Sequence, residues 1–218
     1  MKEFDKYYRH GRAEIMPFLP ASYGRVLEVG CGAGHFGAQL HAAEIWGVEP
    51  DAVAAQLAAA RFHRVLQGFY EAVAAELPDG YFDLIVCNDV IEHVPDHDGF
   101  LLSLTRKLAP GGHLVGSVPN MRYYKNLGAL LFRRQWQYVD AGILDRTHLR
   151  FFTDRSLRDA LARAGLRIER FEGVNSALQK GLLKNLGKSL LLGGLWLISG
   201  GAMADLKYLQ FAFRAAKI

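Results

Sequence analysis

Apolar residues in this chain fall in short runs closed by glycine, proline or an acidic residue, with helical patterns between them. Residues 25–29 form the first run; it ends in glycines and reads as a buried strand. A helix is expected over 34–42 and a second strand over 45–49. Asp51 suits the N-cap of an alanine-rich helix running to Phe62, because its carboxylate can accept from the free amides of the first turn. Val65-Leu66 makes a weak third strand. Residues 82–87, bounded by Asp79-Gly80, make a strong fourth. A helix over 98–108 ends at the turn Pro110-Gly111-Gly112, and a fifth strand over 113–118 stops at Pro119.

This alternation predicts βαβ units around a parallel sheet. After Asn120 it breaks: residues 121–149 are rich in aromatics and arginines and read as an inserted cap, bounded at about 121–152. Order resumes with a helix over 154–164 stopped by Gly165, then strands over 167–171 and 208–214. Two consecutive strands without a return crossover suggest an antiparallel pair, with a hydrophobic helical insert at about 176–204 between them. The expected fold is α/β: one domain over 1–218, with a doubly wound, mostly parallel seven-stranded sheet, an antiparallel last strand and an inserted helical cap.

Composition narrows the picture little. The 218 residues are 50% hydrophobic and 22% charged, ordinary for a globular enzyme, with a formal net charge of +4. That excess could favour an anionic partner, but a solvated basic surface is the simpler reading. No basic run interleaved with aromatics supports nucleic-acid binding. Cys31 and Cys87 lack metal-ligand spacing and point to a reducing compartment. Residues 1–10 are polar and charged, so no secretory leader is expected and a cytoplasmic location is the default. Residues 189–204 are uncharged. They fall short of the ~20 apolar residues that a span needs. A packed helix or lid ranks first for them, peripheral contact with the inner membrane surface second, and a span last.

The chemistry starts where the first strand ends, at Glu28-Val29-Gly30-Cys31-Gly32-Ala33-Gly34. Alternate glycines let the backbone turn sharply and approach a ligand. Glu49 follows the first of them at a spacing that suits a carboxylate for ribose hydroxyls. Gly32, Gly34 and Gly37 also fit a dinucleotide pattern, but its register starts after the strand has ended. A carboxylate at Glu28 would repel a pyrophosphate and attract a sulfonium. The methyl-donor reading therefore outranks a nicotinamide oxidoreductase.

Val26-Leu27-Glu28-Val29-Gly30-Cys31-Gly32-Ala33-Gly34 resembles the first motif of class I S-adenosylmethionine-dependent methyltransferases, and Gly47-Val48-Glu49-Pro50 their second. Residues 82–94 resemble the fourth-strand motif and Leu108-Ala109-Pro110-Gly111-Gly112 the turn before the fifth strand. The resemblance covers nearly the whole chain. It implies a Rossmann-like fold, with S-adenosylmethionine held by Glu28, Gly30, Gly32, Gly34, Glu49 and Pro50, the adenine flanked by Gly68 and Phe69, and the methyl group near Asn88 and Asp89. Phe69 stands where such enzymes often carry an acid for the adenine amine. The segment Phe4-Asp5-Lys6-Tyr7-Tyr8-Arg9 is implied to fold over the cofactor.

Asp89, Glu92 and His93 are spaced to share one face of a helical turn, and His148 lies in a second polar group, Asp145-Arg146-Thr147-His148. His93 or His148 could be the general base for an acceptor hydroxyl, since histidine titrates near neutrality. Alternatively Asp89, Glu92, His93 and His148 could bind a divalent metal ion, or Glu92 and His93 could simply pin the loop; the metal ranks last. The D/E-x-x-E-H element resembles those of ubiquinone-pathway O-methyltransferases and of metal-dependent 2′-O-methyltransferases acting on small RNA ends. Residues 136–153 resemble a bacterial methyltransferase group associated with cell-surface glycan assembly, which implies a small-molecule or saccharide hydroxyl as acceptor. Arg133, Arg134, Arg146 and Arg150 could engage an anionic group, and Tyr123, Tyr124, Trp136 and Tyr138 could stack on a ring or form ordinary core. The rival class is a non-catalytic cofactor-fold or membrane-associated scaffold protein.

Overall fold

The computed structural model describes residues 11–178 and 186–218. The implied fold of Phe4 to Arg9 over a cofactor lies outside them. Seven strands form one sheet: β1 (Arg25–Val29), β2 (Glu44–Glu49), β3 (Arg64–Gln67), β4 (Phe82–Asn88), β5 (Leu108–Pro119), β6 (Leu166–Ser176) and β7 (Tyr208–Lys217), in the order β3-β2-β1-β4-β5-β7-β6. Strands β1 to β5 pair in parallel, and β7 runs antiparallel to both β5 and β6. The last strand thus enters between its two predecessors.

Helices α1 (Ala52–Ala59), α2 (Tyr70–Val73), α3 (His97–Lys107), α4 (Tyr124–Arg133), α5 (Asp154–Arg163) and α6 (Leu186–Ile198) complete the fold. Strand side chains alternate between the faces, and the core divides accordingly. Leu27, Ile85 and Cys87 meet Leu101 and Leu104 of α3 and Leu157 and Leu161 of α5 on one side. Val26, Leu84 and Val86 meet Ile15, Phe18, Phe36, Ala58 and Phe62 on the other. Burying each such Leu or Phe side chain contributes about 1.5–3 kcal/mol.

The caps follow the local chemistry. Asp51 Oδ1 accepts from Ala54 N at 2.8 Å and starts α1. Thr153 and Ser156 form a reciprocal capping box at α5. Two expectations need correction. Residues 34–42 form no α-helix, only a 3₁₀ turn at Gly37–Gln39. Gly34 and Gly37 raise the backbone cost of a helix there, and the Gln39 amide donates instead to the His35 and Gly11 carbonyls. Nor does β5 begin after the glycine turn. It spans Leu108–Pro119, and residues 109–112 bulge out between the pairs Phe82↔Leu108 and Leu84↔His113.

The cap leaves the sheet at Asn120 and returns at Phe152, where the two form a parallel bridge. Fully buried Asn120 donates to the carbonyls of Asp205 and Tyr208, both at 3.0 Å, and accepts from Arg122 N at 2.9 Å. Helix α4 buries none of its residues.

Candidate active site

The site gathers at the carboxyl ends of β1, β2 and β4, where a parallel sheet offers a crevice. Gly30, Gly32 and Gly34 all adopt positive φ, 69°, 51° and 77°. A Cβ at Gly30 would come within 2.6 Å of Val90 Cγ2, so the glycine loop lies directly against the segment that leaves β4. Gly37 has another purpose. A Cβ there would meet Phe62 at 2.4 Å and the Glu28 carboxylate at 2.6 Å, so this glycine makes room for packing. With only a 3₁₀ turn at Gly37–Gln39, the dinucleotide pattern lacks the helix N-terminus that would take a pyrophosphate.

Glu28 is buried, and its Oε2 accepts from Gly37 N at 3.0 Å. Burial pushes its carboxyl up to about 8 against the pull of that hydrogen bond. Glu49 is equally buried. Its two oxygens accept from Gly32 N at 2.7 Å and Asp51 N at 3.0 Å, so one side chain joins the glycine loop to the start of α1. Burial raises its pKa, and the two amides offset part of that rise. Pro50 is exposed beside it. At the end of β3, Gly68 has φ +147° and donates to the Glu49 carbonyl, while Phe69 turns 72% of its surface outward. Cys31 and Cys87 are free and buried, which raises both thiols.

Strand β4 ends in Asn88, whose amide nitrogen and oxygen are buried with no hydrogen-bond partner among the described residues. A buried amide left unpaired is costly, and its two atoms suit a polar ligand. Asp89, at φ +54°, turns its carboxylate onto other groups. It accepts from Arg12 Nη1 at 2.5 Å, Ser117 Oγ at 2.8 Å and Gln210 Nε2 at 2.7 and 2.8 Å. Arg12, Ser117 and Gln210 come from three distant parts of the chain, and no local pattern singles them out.

The 3₁₀ turn Ile91–His93 follows. Its carbonyl at Glu92 accepts from Leu149 N at 2.8 Å and Arg150 N at 3.0 Å, which docks the end of the cap on this turn. His93 and His148 then meet with ring centroids 4.7 Å apart, edge to face. His93 Nδ1 lies 3.2 Å from the Thr147 carbonyl and His148 Nδ1 lies 2.9 Å from the Ile143 carbonyl. Donation from both Nδ1 atoms leaves both Nε2 lone pairs for a proton, a ligand or a metal. Burial, followed by the neighbouring His148, lowers the pKa of His93. Glu92 is 1% exposed, and neither carboxylate oxygen has a partner among the described residues. Burial and the nearby Asp89 raise its pKa well above the usual carboxylate range. One ligand atom from each of Glu92, His93 and His148 falls within a mutual 4.8 Å; Asp89, engaged elsewhere, is not in this group.

In the cap, Trp136 and Tyr138 pack on Phe151 at 5.3 and 6.4 Å, and Tyr123 packs on Tyr124 at 4.8 Å. Arg146 is paired with Asp140 at 2.9 Å, and Arg150 donates to the Pro95 carbonyl.

Comparison with known proteins gives the family. The family described as "Methyltransferase domain" matches residues 2–170. A ubiquinone biosynthesis O-methyltransferase of Marinobacter nauticus is 29% identical over 163 residues, covering 69% of this chain and 66% of that protein. The chain therefore spans just under two thirds of that relative and about half of others of the same name, such as the one from Alkalilimnicola ehrlichii, of which it covers 46%. Among solved structures, a SAM-dependent methyltransferase from Archaeoglobus fulgidus superposes with a TM-score of 0.69 at 19% identity, covering 99% of both chains. One from Mesorhizobium loti gives 0.63 at 19% identity, covering 94% of this chain and 96% of its own. These two share the fold.

Proposed function

The chain belongs to the methyltransferase-domain family, and from that premise we propose that it moves a methyl group from S-adenosylmethionine to a hydroxyl of a small-molecule or saccharide acceptor. The observation that supports the reading is the packing of the glycine loop against Val90, three residues before His93, so that a cofactor held by the loop would lie near the turn that carries the paired histidines. The residues fit the cofactor. The loop backbone at Gly30, Gly32 and Gly34, with Glu49, would hold it; Pro50, Gly68 and Phe69 would border the adenine; the unpaired Asn88 amide would meet its polar end. Once bound, the cofactor supplies an electrophilic methyl group on a sulfonium.

The chain's own part is to position, dry the site and take a proton. His93, its pKa lowered by burial, stays neutral near pH 7, with Nδ1 fixed on Thr147 and Nε2 as the acceptor for the hydroxyl proton. His148 holds the second Nε2 beside it. Most of the rate would come from orientation rather than from this proton transfer.

One observation favours a second reading: the Glu92 carboxylate, without a hydrogen-bond partner among the described residues, lies within a mutual 4.8 Å of a ligand atom from each of His93 and His148. Glu92, His93 and His148 fit a divalent cation, which would acidify and orient the acceptor hydroxyl. The two readings separate on a chelator: turnover through a base alone survives it, and turnover through the cation does not.

The test of the whole reading is calorimetric titration with S-adenosylhomocysteine. Saturable one-to-one binding, lost in Gly32→Val, is expected. No binding at any temperature would leave the glycine loop a structural turn. Labelled methyl donor offered with nucleotide sugars, glycans and quinone precursors would then identify the acceptor.

A further inference from the structure

Among the described residues no helix is long and apolar enough to cross a membrane. Helix α6 has 13 residues, about 20 Å against a bilayer core of about 30 Å. Its outward face is nonetheless among the most apolar surfaces of the protein. Leu190, Leu191, Leu197 and Ile198 are 70%, 55%, 71% and 88% exposed, while Leu192 is buried. Positions separated by seven and eight residues return to the same side of a helix, so these four make one stripe, and Leu192 on the opposite side fastens the helix to the fold. Trp196, four residues after Leu192, lies on that opposite side and is 50% exposed. A soluble protein rarely leaves such a contiguous patch uncovered without a partner.

Charge selects the partner. Between positions 173 and 204 there is no Asp or Glu, and the charged residues are Lys180, Lys184 and Lys188. The cap repeats the pattern. Positions 121–139 hold no acid but carry Arg122, Lys125, Arg133 and Arg134, and α4 exposes Leu131 at 68% and Phe132 at 87%. The two segments are fastened together: Arg122 donates to the Ala202 carbonyl at 2.8 Å and pairs with Asp205 at 3.1 Å. A second copy of the chain would meet this acid-free, lysine-bearing segment with like charge. An anionic surface would attract them while its acyl boundary takes the leucines.

We propose that α6 lays its Leu190-Leu191-Leu197-Ile198 stripe on an anionic lipid bilayer, as a peripheral anchor beside the cap. The anchor is independent of methyl transfer and would deliver the site to acceptors held in or at the membrane.

Co-sedimentation with vesicles tests it, comparing phosphatidylglycerol in phosphatidylcholine with phosphatidylcholine alone. The expected results are binding to the anionic vesicles only and at least about a tenfold loss of partition in Leu197→Glu/Ile198→Glu. Both positions are exposed, so the variant should keep its melting temperature and its affinity for S-adenosylhomocysteine, which separates this test from that of the methyltransferase reading. Absence of binding, equal binding to neutral vesicles, or undiminished binding by the variant would overturn the proposal. So would a vesicle-indifferent dimer that the double substitution dissociates.

Discussion

Arg12 and Asp89, 77 positions apart in the chain, meet at 2.5 Å at the carboxyl end of β4. The contact joins the segment before β1 to the point where β4 turns into the histidine-bearing loop, and Arg12 Nη2 adds Ser117 Oγ at 2.6 Å. Without the guanidinium, Asp89 would keep Ser117 and Gln210 but face the Glu92 carboxyl without that compensating charge. Arg12→Met is therefore expected to cost about 1.5–3 kcal/mol, the range for a lost hydrogen bond to a charged group. Urea unfolding reads this directly, and a change near zero would make the pair an ordinary surface contact.

Glu28 sets a pH dependence. Its carboxyl titrates near 8 in the folded protein against 4.5 as the ordinary value, so the folded state holds the extra proton. The stability this gives is fully present below pH 4.5 and is lost as pH rises through about 8. Glu28→Gln keeps an acceptor for Gly37 N and cannot ionise. Its melting temperature should match wild type near pH 5 and exceed it near pH 8.5, by an amount on the order of a few kcal/mol in stability. Parallel pH profiles would refute the assignment.

Two glycines should respond in opposite directions. Gly37→Ala drives a methyl into Phe62 and Glu28 and is expected to cost about 1–3 kcal/mol. Gly128, inside α4, has nothing within 4 Å of its Cβ position, so Gly128→Ala should stabilise that helix by about 0.5–1 kcal/mol. Thermal unfolding of the two variants side by side checks both.

His93→Ala is expected to lower turnover by about two orders of magnitude, while S-adenosylhomocysteine binds within about twofold of wild type. His148→Ala should reduce turnover likewise and spare the cofactor. Full activity in both would remove the proton-transfer role.

Manganese(II) distinguishes the cation reading. Where Glu92, His93 and His148 hold the ion, a hundredfold excess over its dissociation constant stabilises the wild type by about 2.7 kcal/mol. The shift should vanish in Glu92→Gln. Equal melting temperatures with and without manganese leave His93 as the base alone.

Much of this was legible in the sequence, for identifiable reasons. Strand β4 is apolar at positions 82 and 84–87, whose alternate residues serve the two faces of the sheet, and α1 announces itself through Asp51. Glu28, the glycine loop and Glu49 stand where the strand pattern puts them, at the carboxyl ends of β1 and β2. The helix over 34–42 did not form because Gly37 serves the packing of Phe62, a partner 25 positions away. Arg12, Ser117 and Gln210 converge on Asp89 only after β5, β7 and the leading segment have assembled, so no local window contains them. The histidines were visible singly. Their meeting depends on backbone bonds from Leu149 and Arg150 to the Glu92 carbonyl, which side-chain identity does not report.

The place of β7 bears on how the protein is made. Strand β6 has β7 as its sole neighbour in the sheet, yet β7 is the last of the seven to leave the ribosome. Until it emerges, β5 presents a bare edge and β6 has nothing to join, so nascent chains carry two unpaired strands exposed to other nascent chains. A stop codon or a proteolytic nick just before Tyr208 would do more than trim a tail. It would remove Gln210 from Asp89 and strand β6 with it, turning a small truncation into an aggregation-prone remnant.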